Sequence, residues 1–352
     1  MARPRADAYS LLPCATSRAL ASIALSPGLG KDSPHHVRIV EVSPRDGLQN
    51  EKQVVPLTTK LELIRRLVEE AGVETVEAGS FVSPKWVPQM ADSAAVLEQM
   101  TVKQGVSYPF LVPNDRGLVN FLDMVGPKGR AAGRSDEIAI FTAATDAFTK
   151  ANTNCTIHES LERLSKVTSK ALGHGIRVRG YISVVADCPY SGKVNPADVG
   201  KIAKTLLEMG CYEISLGDTT GAGTPGQMLN VLNECTRHAP SVRFAAHCHD
   251  TFGSAVANVL AMVNAGVRVV DAAVGGLGGC PYSPGASGNV DVESVVYALH
   301  ESGYDTGLDL DALAQIGAWI SQQLDRPNGS SAGRAILARA KVKSQSAKQS
   351  KL

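Results

Sequence analysis

Residues 242–250 read VRFAAHCHD, a short apolar run that is followed at once by two histidines. In a β-strand successive side chains point to opposite faces, so His247 and His249 would share one face and Cys248 would point the other way. Two imidazoles on one face form half of a divalent-metal site. On this pair alone, two core histidines hydrogen-bonded to their neighbours are an equally good interpretation.

The run in residues 242–246 has seven counterparts elsewhere in the chain. The eight runs, in chain order, are Val37 to Val42, Val73 to Ala78, Val106 to Val112, Glu137 to Phe141, Val178 to Val185, Tyr212 to Leu216, Val242 to Ala246 and Val267 to Val274. Most are short, continuous and rich in β-branched residues, which is typical of parallel strands buried on both faces. The segments between them have helical spacing of apolar residues, as at Leu61, Ile64 and Leu67.

The alternation of these strands and helices predicts an α/β fold. Eight βα units in about 260 residues match the size of a (β/α)₈ TIM barrel. A doubly wound open sheet is the alternative, but no G-x-G-x-x-G turn follows the first strand. Residues Asp309 to Leu324 place Leu313, Ile316 and Ile320 on one stripe, which predicts an extra C-terminal helix beyond the barrel.

Composition limits the classes of partner. The chain has 352 residues, 44% of them hydrophobic and 20% charged, with a formal net charge of +1. Such a balance gives no electrostatic footprint for nucleic acid, and no apolar window is long enough for a membrane span, so we expect neither partner. The seven cysteines form no C-x-x-C pair, which argues against a zinc knuckle or a disulfide framework and favours a reducing compartment.

The two ends of the chain differ from the barrel domain predicted over residues 37–324. Residues 1–36 have basic residues among Ser, Ala and Leu, which resembles an organelle transit segment, with a disordered extension as the alternative. Residues 325–352 are rich in Ser, Ala, Lys and Arg, and we expect a flexible tail there. The final Ser350-Lys351-Leu352 is a peroxisomal-type signal, so the sequence predicts the mitochondrial matrix, the peroxisome or both.

Chemically active side chains follow several of the predicted strands. In a TIM barrel the loops after the strands build the site, so these residues would converge. They are Arg45 and Asp46 after the first strand, Glu77 and Ser80 after the second, Asp218 after the sixth, and the two histidines after the seventh. Residues 275–289 follow the eighth strand with six glycines, Cys280 and Asn289. We expect this loop to act as a lid.

Five segments, in this order, carry a family resemblance: SPRDGLQNEK, SFVSPKWVPQM, GCYEISLGDT, HCHDT and GLGGCPYSPGASGN. Together they resemble the 3-hydroxy-3-methylglutaryl-CoA lyases, which are metal-dependent TIM-barrel enzymes, and the similarity covers residues 37–324. The resemblance implies retro-Claisen cleavage of 3-hydroxy-3-methylglutaryl-CoA to acetyl-CoA and acetoacetate, the chemistry of ketone-body formation and leucine degradation. It also implies a divalent cation, Mg or Mn, at the site.

The resemblance also assigns metal ligands. The residues that match the family's ligands are Asp46, His247, His249 and Asn289. One carboxylate, two imidazoles and one amide oxygen suit Mg or Mn, although the two imidazoles would also hold Zn. Cys248 is not expected to bind the metal. The bound cation would lower the cost of the alkoxide that forms before the carbon–carbon bond breaks.

Two further residues receive roles in the cleavage. Arg45 is placed to stabilise the enolate of acetyl-CoA, with a structural salt bridge to Glu77 or Asp218 as the alternative. Cys280 matches the family's catalytic cysteine, which returns a proton to the enolate carbon. Glu77, Asp218 and Glu293 are candidates for the base, for support of the metal ligands or for loop anchoring, and the sequence does not rank them. Ser80 is a candidate substrate-binding residue.

Two other functions remain possible from the sequence. A related barrel could run the chemistry forwards and condense acetyl-CoA with a 2-oxo acid, but such synthases usually have a further C-terminal domain. A catalytically silent barrel could bind an acyl-CoA without acting on it, although loss of Arg45, Cys280 or a metal ligand would then be expected. The expected partner is an acyl-CoA substrate. A homodimer that pairs through an outer helix is also expected.

Overall fold

The computed structural model describes residues 33–279 and 288–349. Eight parallel strands form one sheet in this part of the chain. They are β1 (Arg38–Glu41), β2 (Gly79–Ser80), β3 (Phe110–Leu111), β4 (Glu137–Ala143), β5 (Arg177–Ser183), β6 (Glu213–Asp218), β7 (Phe244–Cys248) and β8 (Val269–Ala272). Each overlaps or directly follows one of the eight apolar runs, so the predicted strands are confirmed. A two-stranded hairpin, Asp187–Cys188 with Gly192–Lys193, follows β5.

The sheet closes on itself as a barrel. β1 pairs with β8 in parallel, with Arg38 opposite Val269. On its other side β1 meets the chain just before β2, because Glu41 N–H donates to the Thr75 carbonyl over 2.9 Å and Glu77 N–H donates to the Glu41 carbonyl over 2.9 Å. The run before β2 therefore joins β1 to β3 through a few hydrogen bonds rather than through a regular strand. The predicted TIM barrel is confirmed.

Helices cover the outside of the sheet. In chain order they are α1 (Leu57–Glu69), α2 (Ser93–Gln99), α3 (Asp115–Val125), α4 (Asp146–Thr153), α5 (Ile157–Gly173), α6 (Pro196–Glu208), α7 (Pro225–Thr236), α8 (Ala255–Asn264), α9 (Val292–Glu301), α10 (Leu310–Gln323) and α11 (Ser331–Gln349). Local chemistry starts several of them: Asn114 caps α3, and Thr156 forms a capping box with Glu159 at the start of α5. The large hydrophobic core lies between these helices and the sheet.

The inside of the barrel is unusually polar. A small apolar cluster of Leu111, Ala139 and Tyr181 packs apart from the main core. Arg179 on β5 and Asp271 on β8 are each only 1% exposed, and their side chains meet inside the barrel. Because the interior of a TIM barrel is normally filled by branched apolar side chains, these buried charges require a specific explanation.

The C-terminal region differs from the expected flexible tail. The predicted extra helix is α10, and Asp309 caps it by accepting a hydrogen bond from Ala312 N–H over 2.9 Å. A further helix, α11, then occupies most of the segment expected to be flexible. Ser330, just before α11, is buried, and its hydroxyl donates to Asp291 Oδ1 over 2.5 Å. The Ala, Arg, Lys and Gln residues of α11 have high helix propensity. The same residue types also give the segment the polar composition of a flexible tail, so composition alone did not predict the helix.

Two truncations compare how the first and second halves of α11 contribute to thermal stability. Ending the chain after Ala340 is expected to leave Tm unchanged within about 1 °C, because residues 341–346 are exposed. Ending it after Asn328 removes the buried Ser330 bond to Asp291, which caps α9. A loss of about 1 kcal/mol corresponds to ~2–4 °C in Tm for a domain of this size. Thermal denaturation of the two truncated chains tests this, and equal Tm values would contradict a structural role for the start of α11.

Several expectations concern other parts of the chain. Residues 1–32, Cys280 and Ser350-Lys351-Leu352 lie outside the described residues. Among the helices that the structure describes, none is long and apolar enough to span a bilayer. At the start of the described region His36 bridges Asp305, with 3.3 Å between His36 Nδ1 and Asp305 Oδ2.

Candidate metal centre and active site

The carboxyl ends of β1 and β7 bring three potential metal ligands together. Asp46 lies in a single wide helical turn, Ser43–Gly47, that directly follows β1, while His247 and His249 lie at the end of β7. One ligand atom from each of the three residues lies within 4.8 Å of the other two. The two imidazole ring centroids are 5.4 Å apart. The shared face that the H-x-H spacing predicts is therefore observed.

Asn289 completes this group from the other side. It pairs with His249 through an antiparallel backbone bridge. Its amide nitrogen donates to Asp46 Oδ2 over 3.0 Å and to the Leu277 carbonyl over 3.1 Å. The amide oxygen, Asn289 Oδ1, is buried and has no hydrogen-bond partner among the described residues. A buried carbonyl oxygen without a donor is suited to binding a cation.

The electrostatics of the cluster favour the ligand forms of its side chains. Burial opposes ionisation of Asp46, but the Arg45 guanidinium and the two histidines outweigh it and lower the pKa to about 2. Burial, with the nearby His247, lowers the pKa of His249 to about 4. At neutral pH the cluster therefore offers a carboxylate and a neutral imidazole at His249, the forms that bind metals.

The donor set fits a divalent cation. His249 Nδ1 is a second buried atom that has no hydrogen-bond partner in residues 33–279 or 288–349. Cys248 lies between the histidines but packs in the hydrophobic core, and burial raises the pKa of its thiol well above the ordinary value. A protonated thiol packed in the core is poorly suited to binding a cation, because the thiolate is the form that binds metals. Mixed oxygen and imidazole donors without thiolate suit Mg or Mn.

Arg45 lies beside the cluster and is buried. Its Nη2 donates to Glu77 Oε2 over 2.9 Å, its Nη1 donates to Asp46, and its guanidinium lies 5.5 Å from the Tyr181 ring centroid. Burial opposes the charge of Arg45, but Asp46 and Glu77 keep its pKa above the ordinary value. The salt bridge to Glu77 that the sequence offered as an alternative role is therefore present, and it fixes the guanidinium next to the cluster.

Glu77 holds Arg45 in place through one oxygen. Glu77 Oε2 accepts from Arg45 and also from the Tyr181 hydroxyl, over 2.8 Å. Ser80, the last residue of β2, is 1% exposed, and its hydroxyl accepts from Val82 N–H over 3.2 Å. The structure thus places Glu77 in contact with Arg45 and places Ser80 in a local backbone turn.

Asp218, at the end of β6, is buried and only half satisfied. Its Oδ2 accepts from Gly223 N–H over 2.9 Å, while its Oδ1 has no hydrogen-bond partner in the part of the chain that the structure describes. Burial raises the pKa of Asp218 to about 6, although hydrogen bonds from Gly223 and Gly221 oppose the shift. A carboxyl group with a pKa near neutrality and a free oxygen can exchange protons at physiological pH.

Glu293 lies at the root of the glycine-rich loop. Both of its oxygens accept from Gly275 N–H, over 3.1 and 3.0 Å, and burial raises the pKa of its carboxyl group well above the ordinary value. Gly275 has a φ of +63°, a conformation that favours glycine. Of the alternatives left open for Glu293, its contacts match loop anchoring. Cys280, on the same loop, lies outside the described residues.

A second buried carboxyl group, Glu41, holds the same loop and was not singled out from the sequence. Its Oε1 accepts from Val274 N–H over 2.7 Å, and its Oε2 accepts from Ser43 N–H over 3.0 Å. Burial raises its pKa to about 7 despite these hydrogen bonds. Glu41 lies inside an apolar run, and an acidic residue in a buried strand is the signal that could have identified it.

The raised pKa of Glu41 predicts a pH-dependent stability. Because the folded protein holds the Glu41 proton more tightly than the unfolded chain, this stabilisation is full below about pH 4.5 and is lost as the pH rises through 7. The free energy of unfolding of the wild type, relative to Glu41→Gln, should fall by roughly 3 kcal/mol across this range. Denaturant unfolding of both proteins from pH 5 to 8 tests this. Parallel curves would show that the Glu41 pKa is ordinary.

Comparison with known proteins identifies the family. The chain matches the HMGL-like family over residues 36–320. It is 50% identical over 302 residues to the mitochondrial hydroxymethylglutaryl-CoA lyase of Bos taurus, which covers 86% of this chain and 90% of that protein. The crystal structure of hydroxymethylglutaryl-CoA lyase from Pseudomonas aeruginosa superposes with a TM-score of 0.82 at 46% identity, over 87% of this chain and 99% of that one.

A third similar structure was solved with ligands. It is an HMG-CoA lyase from Acinetobacter baumannii in complex with coenzyme A and 3-methylmalate, with a TM-score of 0.79 and 32% identity over 86% of this chain and 95% of that one. The family match covers most of the barrel, and the identity is far above the level at which only a fold is shared. The chain therefore belongs to the HMGL-like family, among its hydroxymethylglutaryl-CoA lyases.

Proposed function

We propose that this protein is a carbon–carbon lyase that cleaves 3-hydroxy-3-methylglutaryl-CoA to acetyl-CoA and acetoacetate. The observation that carries the proposal is the cluster of Asp46, His247 and His249 beside the buried Arg45 at the carboxyl face of the barrel. The sequence identity to hydroxymethylglutaryl-CoA lyases supports the same reaction. Acyl-CoA is accordingly the substrate class.

The proposed metal ligands are Asp46, His247, His249 and Asn289. Their buried and unpartnered oxygen and nitrogen atoms support this assignment. A divalent cation bound there supplies Lewis-acid polarisation of substrate oxygens. We propose Mg or Mn as the cation, since the ligands include a carboxylate and an amide oxygen and lack a thiolate.

The reaction moves two protons and one electron pair. A base removes the proton of the C3 hydroxyl, the C2–C3 bond breaks as the C3 carbonyl of acetoacetate forms, and the electron pair passes into the thioester enolate of acetyl-CoA. We assign the base to Asp218, because its pKa of about 6 and its free oxygen suit proton removal. Glu77 is the less suitable base, since Arg45 and Tyr181 already occupy its Oε2.

Arg45 would stabilise the enolate. A permanently charged, fixed guanidinium lowers the energy of negative charge that develops only in the transition state. Cys280 would then donate its thiol proton to the enolate carbon, so that the proton lost from the hydroxyl is balanced by the proton gained at C2. Glu41 and Glu293, which bind the backbone at the root of its loop, support this role by fixing where the loop begins.

Location and assembly form a separate part of the proposal. The mitochondrial relative supports a mitochondrial location, which agrees with the transit-like composition of residues 1–36. A peroxisomal location, from Ser350-Lys351-Leu352, and a homodimer stay predictions. A second candidate function, condensation of acetyl-CoA with a 2-oxo acid, has no specific observation in its favour.

The proposal is tested with the purified full-length chain. Acetoacetate release from 3-hydroxy-3-methylglutaryl-CoA should require Mg or Mn, stop with chelator, and fall by at least about 10²-fold in Cys280→Ala, because general acid catalysis typically contributes ~10²–10⁴-fold. Metal-dependent turnover that Cys280→Ala leaves unchanged would remove Cys280 from the mechanism. No turnover by folded, metal-loaded protein would contradict the lyase assignment, and condensation with 2-oxo acids would then be assayed.

A further inference from the structure

Arg179 has the largest of the fully buried side chains in residues 33–279 and 288–349, and it lies inside the barrel. Its Nε donates to Glu213 Oε1 over 2.7 Å, and its Nη2 and Nη1 donate to the two oxygens of Asp271 over 2.7 and 3.2 Å. The bidentate contact uses the rigid fork of the guanidinium and fixes the orientation of the Asp271 carboxylate. The pKa of Asp271 is held well below its ordinary value, because Arg179 outweighs the effect of burial.

One arm of contacts runs from Arg179 to a metal ligand. Asp271 on β8 is the register partner of His247 on β7. Asp271 Oδ2 lies 3.2 Å from His247 Nδ1, and it also accepts from the Ser215 hydroxyl over 2.7 Å. In a neutral imidazole, a carboxylate at Nδ1 favours the tautomer with the proton there, so that Nε2 is the nitrogen with a free lone pair. Nε2 is the His247 atom that faces Asp46, at 3.9 Å.

A second arm runs from Arg179 to Arg45. The Arg179 guanidinium lies 4.8 Å from the Tyr181 ring centroid, and that of Arg45 lies 5.5 Å from the same centroid. The Tyr181 hydroxyl donates to Glu77, which accepts from Arg45. The position of the Tyr181 ring, set in part by Arg179, thus determines where the Glu77 carboxylate meets Arg45.

Such a network is costly for stability alone. Burying several charges removes their hydration, and well-packed apolar side chains of similar volume often stabilise a fold equally well or better. The interior of the barrel could therefore be filled without charges. Apolar residues, however, could not place a carboxylate at His247 Nδ1 or a cation against the Tyr181 ring that lies beside Arg45.

We infer that Arg179 is a positioning residue for both halves of the site. Through Asp271 it sets the ring orientation and tautomer of His247, and through Tyr181 and Glu77 it sets the position of Arg45. This inference rests on the metal cluster and the lyase reaction proposed above. It makes Asp271 and Arg179 part of the functional apparatus although neither touches the substrate.

The contacts from Arg179 through Asp271 to His247, called the metal arm below, are tested by metal binding rather than by activity. In Asp271→Asn the amide oxygen keeps the contact with Arg179 Nη2, while the amide N–H₂ takes the place of Oδ2, gives up the contact with Nη1 and faces His247 Nδ1, which shifts the ring proton to Nε2. Mn²⁺ affinity, measured by electron paramagnetic resonance, should fall about 10- to 100-fold, and ¹⁵N chemical shifts of the metal-free protein should report the other His247 tautomer. Arg179→Met should also weaken Mn²⁺ binding.

A matched variant separates positioning from structure. Arg38 belongs to the same network, since its Nη2 donates to Glu213 Oε2 over 2.5 Å. It connects to Arg179 through Glu213, so it lies one contact further from the site than Arg179 does. Arg38→Met should lower Tm and leave Mn²⁺ affinity and the His247 tautomer unchanged. If Arg179→Met fails to fold, the near-isosteric Asp271→Asn decides the question. Unchanged Mn²⁺ affinity in folded Asp271→Asn overturns the metal arm.

The second arm is tested by kinetics at saturating metal. Tyr181→Phe keeps the ring and removes the hydrogen bond to Glu77, so it should lower kcat several-fold while Mn²⁺ affinity stays as in the wild type. Unchanged kcat overturns this arm. Failure of the inference differs from failure of the proposed function: an inactive wild type that still binds Mn²⁺, more weakly in Asp271→Asn, would leave the metal arm intact and refute the lyase assignment alone.

Discussion

Arg45→Lys is expected to lower kcat by about 10²- to 10³-fold, the loss typical when one donor to a developing oxyanion is removed. The ammonium of lysine keeps the charge but lacks the fork that now reaches Glu77 and Asp46 together. KM should change much less than kcat, because the contact is made in the transition state. Steady-state kinetics with saturating Mg or Mn measure both constants.

The control for this variant is a measurement of metal binding. Mn²⁺ affinity and Tm should remain near those of the wild type, since Arg45 is not a ligand and lysine retains a cation beside Asp46. Turnover like that of the wild type would remove Arg45 from the mechanism. A matching loss of metal affinity would instead mean that Arg45 acts by orienting Asp46.

Asp46→Asn should abolish most metal binding. It removes the one carboxylate of the cluster and one of the two carboxylate partners of Arg45, and a neutral amide beside two imidazoles attracts a divalent cation far less strongly. Loss of Mn²⁺ affinity should be at least about 10²-fold, above the range typical of residues that only support the ligands. Turnover at ordinary metal concentrations should fall in parallel.

Glu51→Gln is the matched comparison for Asp46→Asn. Glu51 follows the same strand and bonds Arg326 over 2.7 Å, away from the cluster. This variant should bind Mn²⁺ as the wild type does. If high metal concentration restores turnover of Asp46→Asn, the defect lies in affinity, whereas full activity of the variant in the presence of chelator would contradict a metal-dependent reaction.

The barrel was predictable because its strands are buried on both faces. Continuous apolar runs such as Val178 to Val185 indicate such strands without reference to any partner. The run from Val73 to Ala78 shows the limit: its backbone bonds to both neighbours, yet the regular strand is only Gly79–Ser80. Hydrogen-bond regularity depends on the twist of the closed barrel, which local composition does not encode.

The site was predictable where chemistry follows a strand end, as with Asp46 and His247. Its supporting residues were missed for a physical reason. Arg179 and Asp271 each appear in the sequence as a charged residue within an apolar run, and only the register between β7 and β8 shows that Asp271 adjoins His247. Inward and outward positions of a buried strand look alike until the closure of the barrel defines its inside.

The pairing of β1 with β8 sets a condition on how the protein matures. Asp46 comes from the first βα unit and Asn289 from the last, so the proposed ligands meet only when the ring is complete. A chain still emerging from the ribosome has its first ligand long before its fourth, and contacts this distant in sequence form late in folding. Bound metal would therefore mark a molecule in which the first and last βα units have met and the ring has closed.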